Sequence, residues 1–182
     1  MARARLVRSR ARTVDTMSGW PTPDKIGPGQ ESVWDYPRPP RLETFVGSIT
    51  IELGGQTIAS TDGAWRVLET SHPPTYYVPA TAFRDGVLRE AAGSSWCEWK
   101  GVASYYDLVT DARVAERAGW TYLEPTRGFE AIAGAIAVMA ADVDRCTVNG
   151  EQVESQPGGF YGGWITSWVK GPFKGIPGSR GW

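Results

Sequence analysis

The only histidine of the chain, His72, lies in a short segment that combines acidic, aromatic and conformationally stiff residues. The segment reads Glu-Thr-Ser-His-Pro-Pro-Thr-Tyr-Tyr from Glu69 to Tyr77, and a third proline follows at position 79. An imidazole of ordinary pKa, about 6.5, can take up or release a proton near neutral pH. Glu69 precedes the ring by three residues and could orient it. We therefore predict that residues 69–77 form one wall of a pocket.

Two lysines suggest that this pocket holds an anionic group. Lys100 and Lys174 each precede a glycine, which places an ammonium beside backbone that a ligand can approach closely. Such an arrangement suits a phosphate or a carboxylate, although the phosphate-binding motif Gly-x-x-x-x-Gly-Lys-Ser/Thr is absent. Tyrosines and a tryptophan could wall the pocket and stack on a flat ring, or instead belong to the core. The predicted ligand-binding residues are Glu69, His72, Tyr76, Tyr77, Lys100, Tyr105, Trp164 and Lys174.

Evidence for catalysis is limited to three candidate side chains, Glu69, His72 and Lys100. No Gly-x-Ser-x-Gly nucleophile motif occurs. Cys97 and Lys100 have only the spacing of a redox Cys-x-x-Cys pair, and a buried thiol is the simpler interpretation. The two cysteines and single histidine lack the closely spaced ligand pairs of zinc sites. We predict no metal and no cofactor.

Composition restricts the possible partners. The chain has 182 residues with 22 Gly, 13 Pro and nine Trp, and its net charge is −1. This length suits one domain, and so small a charge offers no field for nucleic acid or an anionic membrane. No apolar stretch approaches the roughly 18 residues of a membrane span. We expect a cytoplasmic protein with reduced thiols whose partner is a small molecule. The oligomeric state stays open.

The first 17 residues differ from the rest. Residues 1–16 contain five arginines and one aspartate. No apolar segment of the kind found in a secretion signal follows them. We predict a disordered basic tail at residues 1–17 and one β-rich domain at residues 18–182. A translation start at Met17 and a nucleic-acid-binding arm are the alternatives for the tail.

The pattern beyond residue 45 is typical of β-strands. Residues 46–53 and 56–60 alternate with period two around Gly54-Gly55, which predicts a hairpin. A third strand at residues 64–69 is expected after a Thr-Asp-Gly turn, so that Glu69 and His72 lie just past a strand end. Loops in that position often carry function.

The second half of the chain continues this pattern. Short strands are expected at residues 87–90, in the second half of 97–109, and at 115–122. Single helical turns are expected at residues 80–83 and 129–132, and the apolar run 133–140 is interpreted as a strand. Asn149-Gly150 predicts another hairpin. The predicted fold is mainly β, a compact antiparallel barrel- or sandwich-like single domain with one or two short helices.

Several of these motifs, in this order, resemble one family, the domain of unknown function 427. They are residues 31–39, residues 68–77, the Cys97-x-x-Lys100-Gly101-x-Ala103-x-Tyr105 segment, and residues 163–166 with 171–175, so the resemblance runs from about residue 30 to 182. Glu98-Trp99 departs from the Pro-Tyr expected there. The resemblance implies a compact β-rich domain without an agreed activity. The family is sometimes labelled nucleotidyltransferase-like, but paired acids for two metal ions are not evident here.

Three functions are therefore carried forward. The first is binding of a small anionic or aromatic metabolite around the Glu69-to-Tyr77 loop. The second is an enzyme acting on a small molecule or nucleotide, with His72 or Glu69 as acid/base and Lys100 as electrostatic stabiliser. The third is a protein-interaction module that uses exposed tryptophans.

Overall fold

The computed structural model describes residues 20–182, so the tail predicted at residues 1–17 and its boundary with the domain lie outside the described residues. Its strands are β1 Glu31–Ser32, β2 Arg41–Leu53, β3 Gln56–Leu68, β4 Thr75–Tyr77, β5 Leu88–Cys97, β6 Gly101–Val109, β7 Val114–Thr121, β8 Ala137–Val138, β9 Arg145–Val148, β10 Glu151–Gln152, β11 Glu154–Ser155, β12 Trp164–Ile165 and β13 Val169–Lys170. Short 3-10 turns occupy Val33–Asp35, Ala80–Ala82, Glu130–Ile132, Ala140–Asp142 and Ser179–Gly181.

The long β2–β3 hairpin is the central element of the fold. Gly54 and Gly55 have φ of 61° and 74° at its turn, which is the positive backbone angle that a tight hairpin requires. The prediction of this hairpin is confirmed. The predicted turn at Thr61–Gly63 is wrong, because β3 continues through it to Leu68. Opposite this segment, the partner strand β2 has a β-bulge after Val46. The ladder continues past the bulge because an extra residue bends a ladder without ending it.

Two antiparallel sheets form the body of the protein. One has the strand order β10-β9-β2-β3-β4 and the other β5-β6-β7-β8. Asn149 and Gly150 form the predicted β9–β10 turn with φ of 51° and 79°. The buried faces of both sheets contribute to one apolar cluster, which includes Ile51, Ile58 and Leu108. The mainly β, sandwich-like expectation is therefore confirmed, and the helical part of residues 20–182 consists of 3-10 turns only.

The apolar run at residues 133–140 is mostly not a strand. Only Ala137–Val138 pairs in a ladder, and Gly134 at φ 73° interrupts the run. Residues 135–138 are all buried. The run connects the 3-10 turns Glu130–Ile132 and Ala140–Asp142. It is apolar because it is buried, and strand pairing is not needed to explain its composition. The turns expected near residues 80–83 and 129–132 are present as 3-10 turns.

The two ends of the described chain meet. β1 pairs in parallel with β13, and the indole nitrogen of Trp34 donates to the carbonyl of Pro172 at 2.9 Å. The Trp34 ring also makes edge contacts with Trp20 and Trp182. These contacts join the C-terminal segment to the start of the described chain. Within residues 20–182, no helix is long and apolar enough to span a membrane.

Candidate functional site

A cavity of about 760 Å³ lies where the end of β3, the strands β5 to β7 and the C-terminal segment 156–174 converge. This volume is in the range of small-molecule sites. Six predicted residues line it: Glu69, His72, Tyr77, Lys100, Tyr105 and Lys174. The structure does not bring Tyr76 and Trp164 to this cavity.

Tyr76 and Tyr77 separate because successive side chains of a strand point to opposite faces. The Tyr76 ring packs in the core, 5.1 Å from the Phe45 ring and 5.3 Å from the Trp164 ring between centroids. Tyr77 points the other way, toward Trp120 at 6.5 Å. Trp164 itself is 1% exposed and donates its indole N–H to a buried carbonyl. Tyr76 and Trp164 are therefore core residues, and Tyr77 belongs to the cavity wall.

Lys100 is placed by the turn between β5 and β6. Two hydrogen bonds from Thr126 stabilise this turn. The Thr126 N–H donates to the Lys100 carbonyl at 3.3 Å, and the Thr126 hydroxyl donates to the carbonyl of Trp99. Lys100 is only 9% exposed. Its ammonium lies 5.7 and 5.9 Å from the ring centroids of Tyr122 and Phe129. Such cation–π contacts are worth about 0.5–2 kcal/mol each.

No carboxylate among residues 20–182 lies within salt-bridge distance of the Lys100 ammonium. The charged side chains of a second, smaller cavity are, by contrast, paired with one another. That cavity, of about 410 Å³, is lined by Glu31, Glu43 and Arg66. There the guanidinium pairs with both carboxylates at 2.5 Å. Burial without a counter-ion thus distinguishes Lys100.

His72 is held by a turn in which its N–H donates to the Glu69 carbonyl at 2.9 Å. Its ring packs edge-on against Tyr161 with centroids 4.5 Å apart. Burial, together with the positive charges of Lys174, Arg38 and Lys100, lowers the pKa of His72 to about 3. The imidazole is consequently neutral at neutral pH.

Glu69 does not orient the His72 ring as its spacing suggested. Its carboxylate pairs with the Arg38 guanidinium at 3.3 Å, and Arg38 also donates to the Thr70 carbonyl at 2.9 Å. The ring is instead contacted by Gln156, whose amide nitrogen lies 3.0 Å from the imidazole Nδ1. Sequence reasoning missed Gln156, because a glutamine 84 positions away carries no local signal.

Lys174 faces the cavity from the C-terminal segment. Its backbone N–H donates to the Ser71 carbonyl at 2.8 Å, which fixes the lysine next to His72 in space. Its ammonium donates to the main-chain oxygen of Trp182 at 2.7 Å and lies 5.7 Å from the Tyr161 ring centroid. Lys174 thus adds a second ammonium to the lining of the cavity.

The mouth of the cavity is more polar and more exposed. The Tyr105 hydroxyl shares a 2.7 Å hydrogen bond with Ser95, and the Arg117 guanidinium stacks 3.9 Å above the Tyr105 ring. The aromatic side chains of Trp96 and Phe160 are 71% and 81% exposed at this rim. The remaining acidic lining residues, Glu98, Glu116 and Asp142, are exposed. Solvated acids at the rim leave the inner wall, with its two lysines, electropositive.

A half-buried thiol and a buried hydroxyl also belong to this wall. Cys97 is free and lines the cavity, whereas Cys146 is free and buried in the core. The Tyr77 hydroxyl is buried without a hydrogen-bond partner in the described chain, and burial raises its pKa. Across residues 20–182, no three His, Cys, Asp or Glu side chains are arranged to hold a metal ion.

Comparison with known proteins agrees with the motifs. A family model described as "Domain of unknown function (DUF427)" matches residues 41–149, which confirms the resemblance. No curated protein matches the chain. The matched range includes His72 and Lys100, whereas Gln156 and Lys174 lie beyond it. Because the match covers more than half of the sequence, the chain belongs to the DUF427 family.

Proposed function

We propose that the cavity binds a small molecule that carries an anionic group on a flat, partly apolar body. The observation that carries this proposal is Lys100, a lysine 9% exposed on the cavity wall with no carboxylate partner among residues 20–182. The Lys100 ammonium has aromatic faces and the cavity beside it but no charged partner in the described part of the chain. An anion in the cavity would supply that partner through a charge-assisted hydrogen bond.

The surrounding charges support an anion over a cation. Lys174 and Arg38 both act electrostatically on His72 in the same sense as Lys100. The inner carboxylate, Glu69, is engaged by Arg38. A ligand ammonium would therefore meet the same positive charges that oppose an imidazolium at His72, whereas an oxyanion would meet the lysine donors.

The walls favour a flat ligand body. Aromatic side chains from different elements face the cavity, namely Tyr77, Trp99, Tyr105, Trp120, Tyr122 and Tyr161. Side chains of this type bury large apolar area and stack on planar groups. A ligand with one anionic end and a ring would use both features of the cavity.

The other two functions have weaker support. An acid/base enzyme would need a proton carrier near neutral pH, but the pKa of His72 is about 3 and Glu69 is ion-paired. An interaction module would use the exposed tryptophans Trp20 and Trp96, but Trp20 contacts the Trp34 ring and Trp96 lines the cavity.

Thermal unfolding with aromatic probes tests the proposal. Benzoate and phenyl phosphate are expected to raise the melting temperature, since ligand at about 100-fold over its Kd stabilises by about 2.7 kcal/mol. Benzyl alcohol and benzylamine serve as matched uncharged and cationic probes and are expected to have smaller effects. Equal shifts from all four probes would contradict an anion site.

The Lys100→Met variant tests the assigned residue. It keeps the stem of the side chain but removes the charge, so it is expected to abolish the anion-induced shift. Without probe it is expected to fold with a stability close to that of the parent chain, because methionine keeps the apolar packing of the lysine stem. The exposed Lys25→Met change is the matched control. A Lys100→Met protein that retains the full shift would refute the role of Lys100.

A further inference from the structure

Gln156 is a buried amide whose orientation is fixed by the main chain. It is 4% exposed. Its oxygen accepts from the Gly163 N–H at 3.2 Å, and its nitrogen donates to the Lys174 carbonyl at 2.8 Å. A flipped amide would set oxygen against carbonyl and nitrogen against N–H. The side-chain nitrogen therefore faces the Lys174 carbonyl and, with its second hydrogen, the imidazole of His72.

This orientation decides where the imidazole carries its hydrogen. Gln156 Nε2 lies 3.0 Å from His72 Nδ1 and can only donate to it. Nδ1 must then be the unprotonated acceptor, so that the hydrogen of the neutral ring is on Nε2. Within residues 20–182 the Nε2 atom has no hydrogen-bond partner, and the ring lines the cavity.

We propose that Gln156 is a positioning residue that fixes His72 as an Nε2–H donor, and that the cavity ligand accepts this hydrogen bond through a carboxylate or phosphate oxygen. This inference rests on the proposed function. Lys100 then supplies charge and His72 supplies direction, because a neutral N–H bonds along one line whereas an ammonium acts as a point charge.

The charges around His72 keep it in this role. Lys174, Arg38 and Lys100 all oppose an imidazolium there, and protonated Nδ1 would face a second donor on Gln156. A ligand donor would find Nδ1 already occupied by the Gln156 amide. At His72 the cavity wall therefore favours a ligand acceptor.

Nitrogen-15 NMR of the full chain labelled at histidine tests the first part directly. His72 is the only histidine, so every imidazole signal comes from it. The parent protein is expected to show a protonated Nε2 and an unprotonated Nδ1 from about pH 7 down to about pH 5. A parent spectrum with hydrogen on Nδ1 would overturn the inference without any variant being made.

Two variants separate positioning from simple packing. In Gln156→Glu the carboxylate accepts instead of donating, so the hydrogen is expected to move to Nδ1 or the ring to become protonated. In Gln156→Leu the directing donor is absent, and both tautomers are expected. An unchanged tautomer in both folded variants would refute the positioning role of Gln156.

Probe binding distinguishes this inference from the proposed function. Benzoate or phenyl phosphate is expected to shift the Nε2 signal of the parent protein, and the better probe identifies the oxyanion type. Gln156→Glu is expected to lower the affinity for that probe by about tenfold, which corresponds to the loss of one charge-assisted hydrogen bond. If the probes bind equally after the tautomer changes, this inference fails and the proposed function stands. If no probe binds the parent protein, the proposed function fails, and with it the ligand part of this inference.

Discussion

Acidification from about pH 7 to about pH 5 is expected to destabilise this protein mainly through His72. Its pKa is lowered from 6.5 to about 3 in the folded protein. Below pH 6.5 the unfolded chain binds a proton that the folded chain does not bind. Stability is therefore fully present above pH 6.5 and is lost progressively as the pH falls toward 3.

The magnitude follows from the linkage between protonation and folding. Each pH unit below 6.5 removes about 1.4 kcal/mol from the free energy of unfolding while the folded ring stays neutral. At about pH 5 the loss reaches about 2 kcal/mol, a large part of the 5–15 kcal/mol typical of a domain. Carboxylates contribute little in this interval, because most stay ionised in both states.

Urea unfolding at both pH values measures this loss, and the His72→Asn variant isolates it. Asparagine can place an acceptor oxygen near the former Nδ1 but does not titrate. The parent chain is expected to lose about 2 kcal/mol more than His72→Asn between about pH 7 and about pH 5. Equal losses in the two proteins would refute the burial and charge argument for His72.

Three further changes test other parts of the structure. Cys97 is half-buried and Cys146 is buried, so one thiol per native chain is expected to react with a thiol reagent. No thiol is expected to react in native Cys97→Ser, and two reactive thiols in the native parent chain would contradict this. Trp164→Phe leaves a buried carbonyl without its donor and a void in the core, so urea unfolding should show a loss of about 2–4 kcal/mol, and a loss below 1 kcal/mol would contradict the packing described. A Cβ at Gly162 would lie 2.1 Å from the Trp120 ring, so Gly162→Ala is expected to shift tryptophan fluorescence and weaken probe binding, whereas Gly181→Ala, with open space around it, should do neither.

Local turn chemistry explains which parts of the fold were predictable. Gly54-Gly55 and Asn149-Gly150 require positive φ, and that requirement is readable from residue type alone. The continuity of β3 through Thr61–Gly63 was not readable, because it depends on a bulge in the partner strand. The strand predicted at residues 133–140 was too long, because burial and strand pairing both favour apolar residues and the sequence does not separate the two.

The site was predictable where one residue carries an unusual chemical type. A single histidine and a lysine before glycine both led to the cavity wall. Which of Tyr76 and Tyr77 faces the cavity depends on strand register, which the adjacent pair does not reveal. Gln156 was invisible because its role arises from three partners brought together by the fold.

The closure of the two chain ends has a consequence for the order of folding. The Trp34–Pro172 hydrogen bond spans 138 positions and the Gln156–His72 contact spans 84. Contacts of such long sequence separation are formed at a high entropic cost and slow the folding of β proteins. The β2–β3 hairpin can pair early from local contacts, whereas the cavity needs both distant segments in place. We therefore expect competence to bind a ligand to develop last in refolding, after most strand pairing is complete.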